Sequence, residues 1–260
     1  MEILIYQKEV DLFDDLADFY VQQIKKNPFI VLGLATGSTP LPLYDRLIKA
    51  NAGGKLSFNN VTTINLDEYV GLTSDNSQSY RYFMNTNLFD KIDIKKKNTF
   101  VPNGLGRLSD NAFLYNQLID TKKIDIQLLG LGSNGHIAFN EPGTSFESLT
   151  HVVNLSASTI GDNARFFTSL DEVPTRAITM GIKTILKAKQ IVLLAPQSNK
   201  SEAVRRLCEE EISINLPASA LRNKKEVTIC LTEKSAISLD LNKSIYTFKE
   251  ETDKYKKYSL

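Results

Sequence analysis

A histidine, two asparagines and a carboxylate fall within eight residues: Asn134, His136, Asn140 and Glu141. They belong to the stretch IDIQLLGLGSNGHIAFNEP, Ile124 to Pro142. An imidazole titrates near neutrality and can both take and give a proton, while neighbouring carboxylate and amide groups can orient it. The chemistry this set can do is proton transfer. The run before it, Ile124–Leu129, is interrupted only by Asp125 and Gln127, which suits a strand buried in a sheet. Gly130, Gly132 and Gly135 then punctuate a turn. Ligands of open α/β sheets bind at the carboxyl ends of strands, which is where these residues fall. The plainer alternative is an ordinary turn with a structural histidine. The glycines alone imitate a dinucleotide fingerprint, but that fingerprint needs a helix to follow at once. HIAFNEP, closed by Pro142, offers none, so a dinucleotide oxidoreductase is not expected.

Two further stretches end apolar runs with reactive or anion-binding groups. FIVLGLA, Phe29–Ala35, leads into Thr36-Gly37-Ser38-Thr39-Pro40, and a helix continues from Pro42 to Ala50. A glycine-hydroxyl loop before a helix N-terminus supplies N–H groups, hydroxyls and the positive end of the helix dipole to an anion. It also reads as a plain helix cap. No lysine follows directly, so it is not a nucleotide-binding loop. VTTINL, Val61–Leu66, leads into Asp67-Glu68-Tyr69-Val70-Gly71-Leu72. On its own this carboxylate pair reads as a helix cap or a solvated turn.

The elements that must position these residues alternate along the chain. Strands are expected at Glu2–Tyr6, Phe29–Ala35, Val61–Leu66, Ile124–Leu129, His151–Leu155, Gln190–Ala195 and Glu226–Leu231, with a short one at Ile245–Phe248. Helices are expected at Val10–Lys26, Pro42–Ala50, Ser79–Asp90, Asn111–Lys123, Ser158–Phe167 and Thr175–Lys187, and from about Lys200 to Glu210. This alternation predicts an α/β fold: one domain with a mostly parallel sheet and helices on both faces. The loops after Ala35, Leu66 and Leu129 then converge on one edge of the sheet. The tail Lys249–Leu260 is charged and expected to be peripheral.

Composition narrows the function classes. The chain has 260 residues, 42% of them hydrophobic, enough for one large core. A net charge of +1 gives no basic surface for nucleic acid or an anionic membrane. No apolar run approaches the roughly 18 residues of a membrane span. The N-terminus MEILIYQKEVDLFDD does not read as a signal peptide. Cys208 and Cys230 sit in apolar contexts; they could pair, but buried free thiols of a cytoplasmic enzyme are the expected reading. With two histidines, neither near a cysteine, no zinc cluster is expected.

Taken whole, LATGSTP, NLDEYVGL and GLGSNGHIAFNEP resemble, in order, signatures of the glucosamine-6-phosphate deaminase (isomerase) family. Asn163-Ala164-Arg165-Phe166-Phe167 and the PASAL segment at Pro217–Leu221 are similar too. The resemblance implies a Rossmann-like fold and conversion of glucosamine 6-phosphate and water to fructose 6-phosphate and ammonia, with no organic cofactor or metal. It implies that His136 opens the sugar ring, assisted by Glu141, and that Asp67 moves the C2 proton while Glu68 supports it. Thr36, Gly37, Ser38, Thr39, Arg165 and Lys200 match the family's phosphate contacts; by themselves Arg165 and Lys200 read as surface charges. Many members carry Asp where this chain has Asn134, an amide that can orient His136 but not offset its charge. Hexameric, allosterically activated members carry basic residues where this chain has His151 and Val153. A monomer is therefore expected, and a hexamer is not. Residues 144–175 are polar and suit a lid over the site. Two alternatives share the fold: a 6-phosphogluconolactonase, and a sugar-phosphate-sensing regulator without turnover.

Overall fold

In the computed structural model of the chain, residues 1–164, 167, 169, 172–240 and 246–249 are described. The frame is a parallel sheet built from β1 (Glu2–Tyr6), β2 (Val31–Leu34), β3 (Thr62–Asn65), β5 (Thr99–Phe100), β6 (Ile126–Gly130), β9 (Gln190–Ala195), β10 (Val227–Thr232) and β11 (Tyr246–Lys249). Their spatial order is β11-β1-β10-β9-β6-β2-β3-β5, with every neighbouring pair parallel. From β2 the chain winds outward through β3 to β5, then returns to place β6 on the other side of β2. The winding therefore reverses between β2 and β6, and a crevice opens at the carboxyl ends of the strands flanking such a switch.

The helices are α1 (Glu9–Lys26), α2 (Leu41–Ala52), α3 (Tyr80–Asn87), α4 (Leu108–Lys122), α5 (Ala157–Ala164), α6 (Ile182–Leu186), α7 (Ser201–Glu209) and α8 (Glu233–Ala236). Their apolar stripes determine where they pack. Helix α1 buries Leu12, Phe13, Leu16, Ala17, Tyr20 and Ile24 at helical spacing, with acids in its first turn and lysines in its last, as the helix dipole favours. With Leu43, Tyr44 and Leu47 of α2 it covers one sheet face, meeting Ile126, Leu128, Val192 and Leu194. The opposite face of the same strands, Leu129, Ile191 and Leu193, is covered by Tyr115 and Ile119 of α4, Ile185 of α6 and Ala203, Val204 and Leu207 of α7. Alternate residues of each strand thus enter two different cores, so the strands read as continuous apolar runs. At the switch, Gly33 of β2 pairs with Gln127 of β6. A β-carbon on Gly33 would overlap the buried Gln127 amide, so the glycine makes room for that polar side chain.

A small antiparallel sheet completes the domain: β4 (Asp67–Tyr69), β8 (Arg176–Thr179) and β7 (His151–Asn154), in the order β4-β8-β7. It corrects one expectation. The helix expected over Thr175–Lys187 is a strand, Arg176–Thr179, followed by the short α6. Thr179 pairs with both Asp67 and His151, and Gly181 packs so closely on the Ser148 and Leu149 carbonyls that no larger residue fits, which ends one element and starts the next. Cys208 and Cys230 are buried and not joined in a disulfide. Arg165 and the tail beyond Lys249 lie outside the described residues.

Candidate active site

The loops after β2, β3 and β6 meet at the switch, around a cleft of about 220 Å³ lined in part by Thr36, Gly37, Thr39, Asp67, His136 and Lys200. The convergence expected from the order of strands is thus observed. Ser38 is exposed and is not among the lining residues. Gly37 has φ +87°, a left-handed conformation that glycine adopts without strain, and it turns the loop into α2. The Tyr44 hydroxyl donates to the Ala35 carbonyl at 2.5 Å and fixes the loop to its helix. On the other side, Gln197 Nε2 donates to Thr39 Oγ1 at 3.3 Å. That bond ties the hydroxyl loop to the short 3-10 turn Ser198–Lys200, which brings Lys200 to the cleft.

Asp67 and Glu68 start β4, directly after β3. Both are buried. Glu68 accepts backbone N–H bonds from Tyr69 (2.8 Å), Tyr80 (2.9 Å) and Arg81 (2.9 Å) and so caps the first turn of α3. Burial raises its pKa, partly countered by those bonds and by the Arg81 guanidinium. Asp67 lines the cleft, and burial, with the adjacent Glu68 charge, pushes its pKa up to about 8. A carboxyl tuned to that range is suited to exchange a proton near neutral pH.

His136 is oriented by its own loop. Its backbone N–H donates to Asn134 Oδ1 at 3.1 Å, and its Nδ1 lies 2.7 Å from the same oxygen. Asn134 Nδ2 donates to Glu141 Oε2 at 2.7 Å. The carboxylate requires a donor there, which settles which end of the amide faces which partner. Asn134 Oδ1 can then only accept, so Nδ1 of the imidazole carries hydrogen and Nε2 is the basic nitrogen of the neutral ring. Glu141 Oε2 stands 3.8 Å from Nδ1, with the Asn134 amide between them. The ring lies flat over Gly132, where a β-carbon would overlap it. Of the expected residues, Asp67, His136, Thr36, Gly37, Thr39 and Lys200 line the cleft, and Asn134 and Glu141 stand behind the imidazole. Among the described residues the cleft is also lined by Tyr80, Ala138, Phe139 and Thr159, which the motifs do not single out. Ala138 has φ +50°, unusual for a residue with a β-carbon, at the edge of the site.

The sequence pattern of the family described as glucosamine-6-phosphate isomerases/6-phosphogluconolactonase matches residues 8–230. The chain belongs to this family. It is 48% identical over 238 residues to the glucosamine-6-phosphate deaminase of Clostridium perfringens strain 13, covering 91% of this chain and 98% of that one. Glucosamine-6-phosphate deaminase 1 of Bacillus subtilis strain 168 gives the same identity and coverage. The solved structure of a monomeric glucosamine-6-phosphate deaminase superposes with a TM-score of 0.89 at 48% identity, covering 92% of this chain and all of that one. The crystal structure of 6-phosphogluconolactonase from Thermotoga maritima superposes with a TM-score of 0.71 at 20% identity, covering 89% and 99%, a likeness of fold. The Rossmann-like architecture expected from the sequence is that of the family.

Proposed function

We propose that the chain is a glucosamine-6-phosphate deaminase, converting the amino sugar phosphate and water to fructose 6-phosphate and ammonia by an isomerising deamination. One observation carries the reading: Asp67, the His136 relay, the hydroxyl loop and Lys200 share a single cleft, in a chain 48% identical to deaminases over nearly their full length. Lys200 and the N–H and hydroxyl groups of Thr36–Thr39 hold the sugar's phosphate, with Arg165, and so fix the register of the reacting carbons. Nε2 of His136 takes the anomeric proton and returns it to the ring oxygen, opening the sugar. Asp67 in its ionised form then removes the C2 proton and delivers it to C1, and water completes the loss of ammonia. Glu68 holds the strand that presents Asp67. The segment about 144–175 serves as the lid, and the working unit is a monomer in the cytoplasm. In support, among the described residues no helix is long and apolar enough to cross a membrane, and one similar structure is that of a monomeric deaminase.

The test is a paired assay. Ammonia release from glucosamine 6-phosphate with no hydrolysis of 6-phosphogluconolactone is the expected result. Lactone hydrolysis without ammonia would assign the cleft to the other branch of the family, and binding of the amino sugar phosphate without turnover would leave a sensor.

A further inference from the structure

Glu141 has two carboxylate oxygens with different partners. Oε2 receives the Asn134 amide at 2.7 Å. Oε1 receives the Ser156 hydroxyl at 3.1 Å and the Thr159 hydroxyl in a shorter bond. Ser156 stands just before α5 and Thr159 lies in its first turn, on an element distant in sequence from the His136 loop. We infer that Ser156 and Thr159 are positioning residues, a hydroxyl clasp that pins Glu141 in the orientation from which it fixes Asn134 and, through it, the His136 ring.

The geometry separates this role from helix capping. Ser156 Oγ accepts the Thr159 backbone N–H at 3.2 Å, so the serine serves the open end of α5. The Thr159 hydroxyl is not needed for that purpose. It lines the cleft, and its proton goes to Glu141, while Ser156 Oγ lies 3.0 Å from Thr159 Oγ1 and closes the arrangement. Glu141 cannot turn about its last side-chain bond without breaking contacts on both oxygens. The segment carrying the clasp is seated independently: the Leu155 N–H donates to the Thr175 carbonyl at 2.8 Å, and Leu155, Ile160 and Phe167 pack with Tyr69, Tyr80 and Phe139. A carboxylate held in one place can steady the positive charge that develops on an imidazole in front of it. Among the described residues, the other charged or titratable groups lining the cleft are Asp67 from β4, Tyr80 from α3 and Lys200 from the turn before α7.

The experiment has one arm that is independent of turnover and one that rests on the deaminase reading. Thr159→Val removes the hydroxyl and keeps the branched shape; Thr159→Ala serves if valine is not accommodated; Thr159→Ser restores the hydroxyl. With two histidines in the chain, ring titration by NMR follows His136 with His151 as an internal reference. In Thr159→Val the His136 titration moves to lower pH, because the Glu141 carboxylate is no longer held in place behind the imidazolium, while the His151 signals superimpose on those of the wild type. In the ammonia-release assay kcat falls about tenfold with little change in KM, as for loss of one charge-assisted hydrogen bond. Thr159→Ser recovers both, and in a Glu141→Gln background Thr159→Val causes no further loss. A His136 titration that superimposes on the wild type, or a kcat loss equally large in the Glu141→Gln background, overturns the clasp. A shifted titration in a protein that releases no ammonia supports the clasp and refutes the deaminase reading instead.

Discussion

Asp67 and Glu68 are adjacent buried carboxyls, but they are satisfied differently: Glu68 accepts three backbone N–H groups, whereas Asp67 lines the cleft. The pair divides structure from chemistry. Asp67→Asn is expected to abolish exchange of the C2 proton with solvent deuterium and to lower kcat about 10²- to 10⁴-fold, while the sugar phosphate still binds. The same change should stabilise the fold at neutral and higher pH. Asp67 has a pKa of about 8 when folded and near 3.9 when unfolded, so between those values the unfolded chain binds fewer protons and stability falls as pH rises. Urea unfolding should show the two proteins equal near pH 4 and the variant increasingly more stable towards pH 8. Equal stability at both ends, or wild-type exchange, would remove Asp67 from this role.

The pH dependence of turnover follows from the same group. A base must be ionised to act, so kcat/KM should climb with pH up to about 8 in the free protein. Glu68→Gln removes the neighbouring charge that helps hold the Asp67 pKa up, and the rising limb should move to lower pH. The amide can no longer accept at both ends, and one N–H at the start of α3 loses its partner. A stability loss of about 1–3 kcal/mol should accompany the shift. A limb that stays in place in Glu68→Gln would mean that burial alone sets the Asp67 value.

How much of this was legible depends on what each residue answers to. Gln190–Ala195 was readable to its ends because a strand buried on both faces is apolar throughout. Arg176–Thr179 was not, because a four-residue strand followed by Gly181 and α6 has too few residues to display a period. It is a strand because Thr179 and Ile178 pair with Asp67 and Glu68 on one side and with His151 and Val152 on the other. His136 could be found because it follows a buried strand in a turn crowded with amides and a carboxylate, whereas Asp67 by itself read as a cap or turn and was singled out only by the resemblance of the string around it. Thr159 and Tyr80 enter the same cleft from helices whose docking no local pattern records. Within the segment 144–175, His151–Asn154 pairs in a sheet and Leu155 and Ile160 pack against aromatic rings, contacts that composition does not record.

Gly132 lies beneath the His136 ring. A β-carbon there would overlap Nδ1, Cγ and Cε1, and the ring cannot yield without losing Asn134. Gly132→Ala should therefore lower kcat about 10²-fold, the loss expected when a reacting group is displaced by about 1 Å. Kinetics at saturating substrate and a melting curve check this together: a large fall in kcat with little change in Tm is the expected pair. Full activity in this variant would show that the imidazole is not held where the reaction needs it.

The phosphate grip predicts a binding effect with little effect on the chemical step. Lys200 reaches the cleft from a turn tied to the hydroxyl loop through Gln197 and Thr39. A hydrogen bond between a cation and a phosphate contributes roughly 1.5–3 kcal/mol, so Lys200→Ala should raise KM at least about tenfold. Arg165→Ala should do the same. Substrate titrations of both variants decide the matter; unchanged KM values would place the phosphate elsewhere.

Regulation can be argued from the surface of the small antiparallel sheet. The allosteric relatives that the motifs resemble place basic residues where this chain has His151 and Val153. Val153 pairs with Ala177 and packs against the cluster of Tyr69, Phe139 and Leu155, and a hydrocarbon side chain offers nothing to a phosphate dianion. His151 Nδ1 lies 2.8 Å from the Leu149 carbonyl, which can only accept, so that nitrogen carries its hydrogen towards the chain's own backbone. An effector shifts an equilibrium only by its differential affinity for two states, and Val153 offers a phosphate nothing from which to build one. Hyperbolic substrate saturation, no response to N-acetylglucosamine 6-phosphate, and sedimentation as a monomer are expected together. Sigmoidal kinetics that become hyperbolic on adding that sugar, in a sedimenting hexamer, would show that another part of the chain has taken over the role of these two positions.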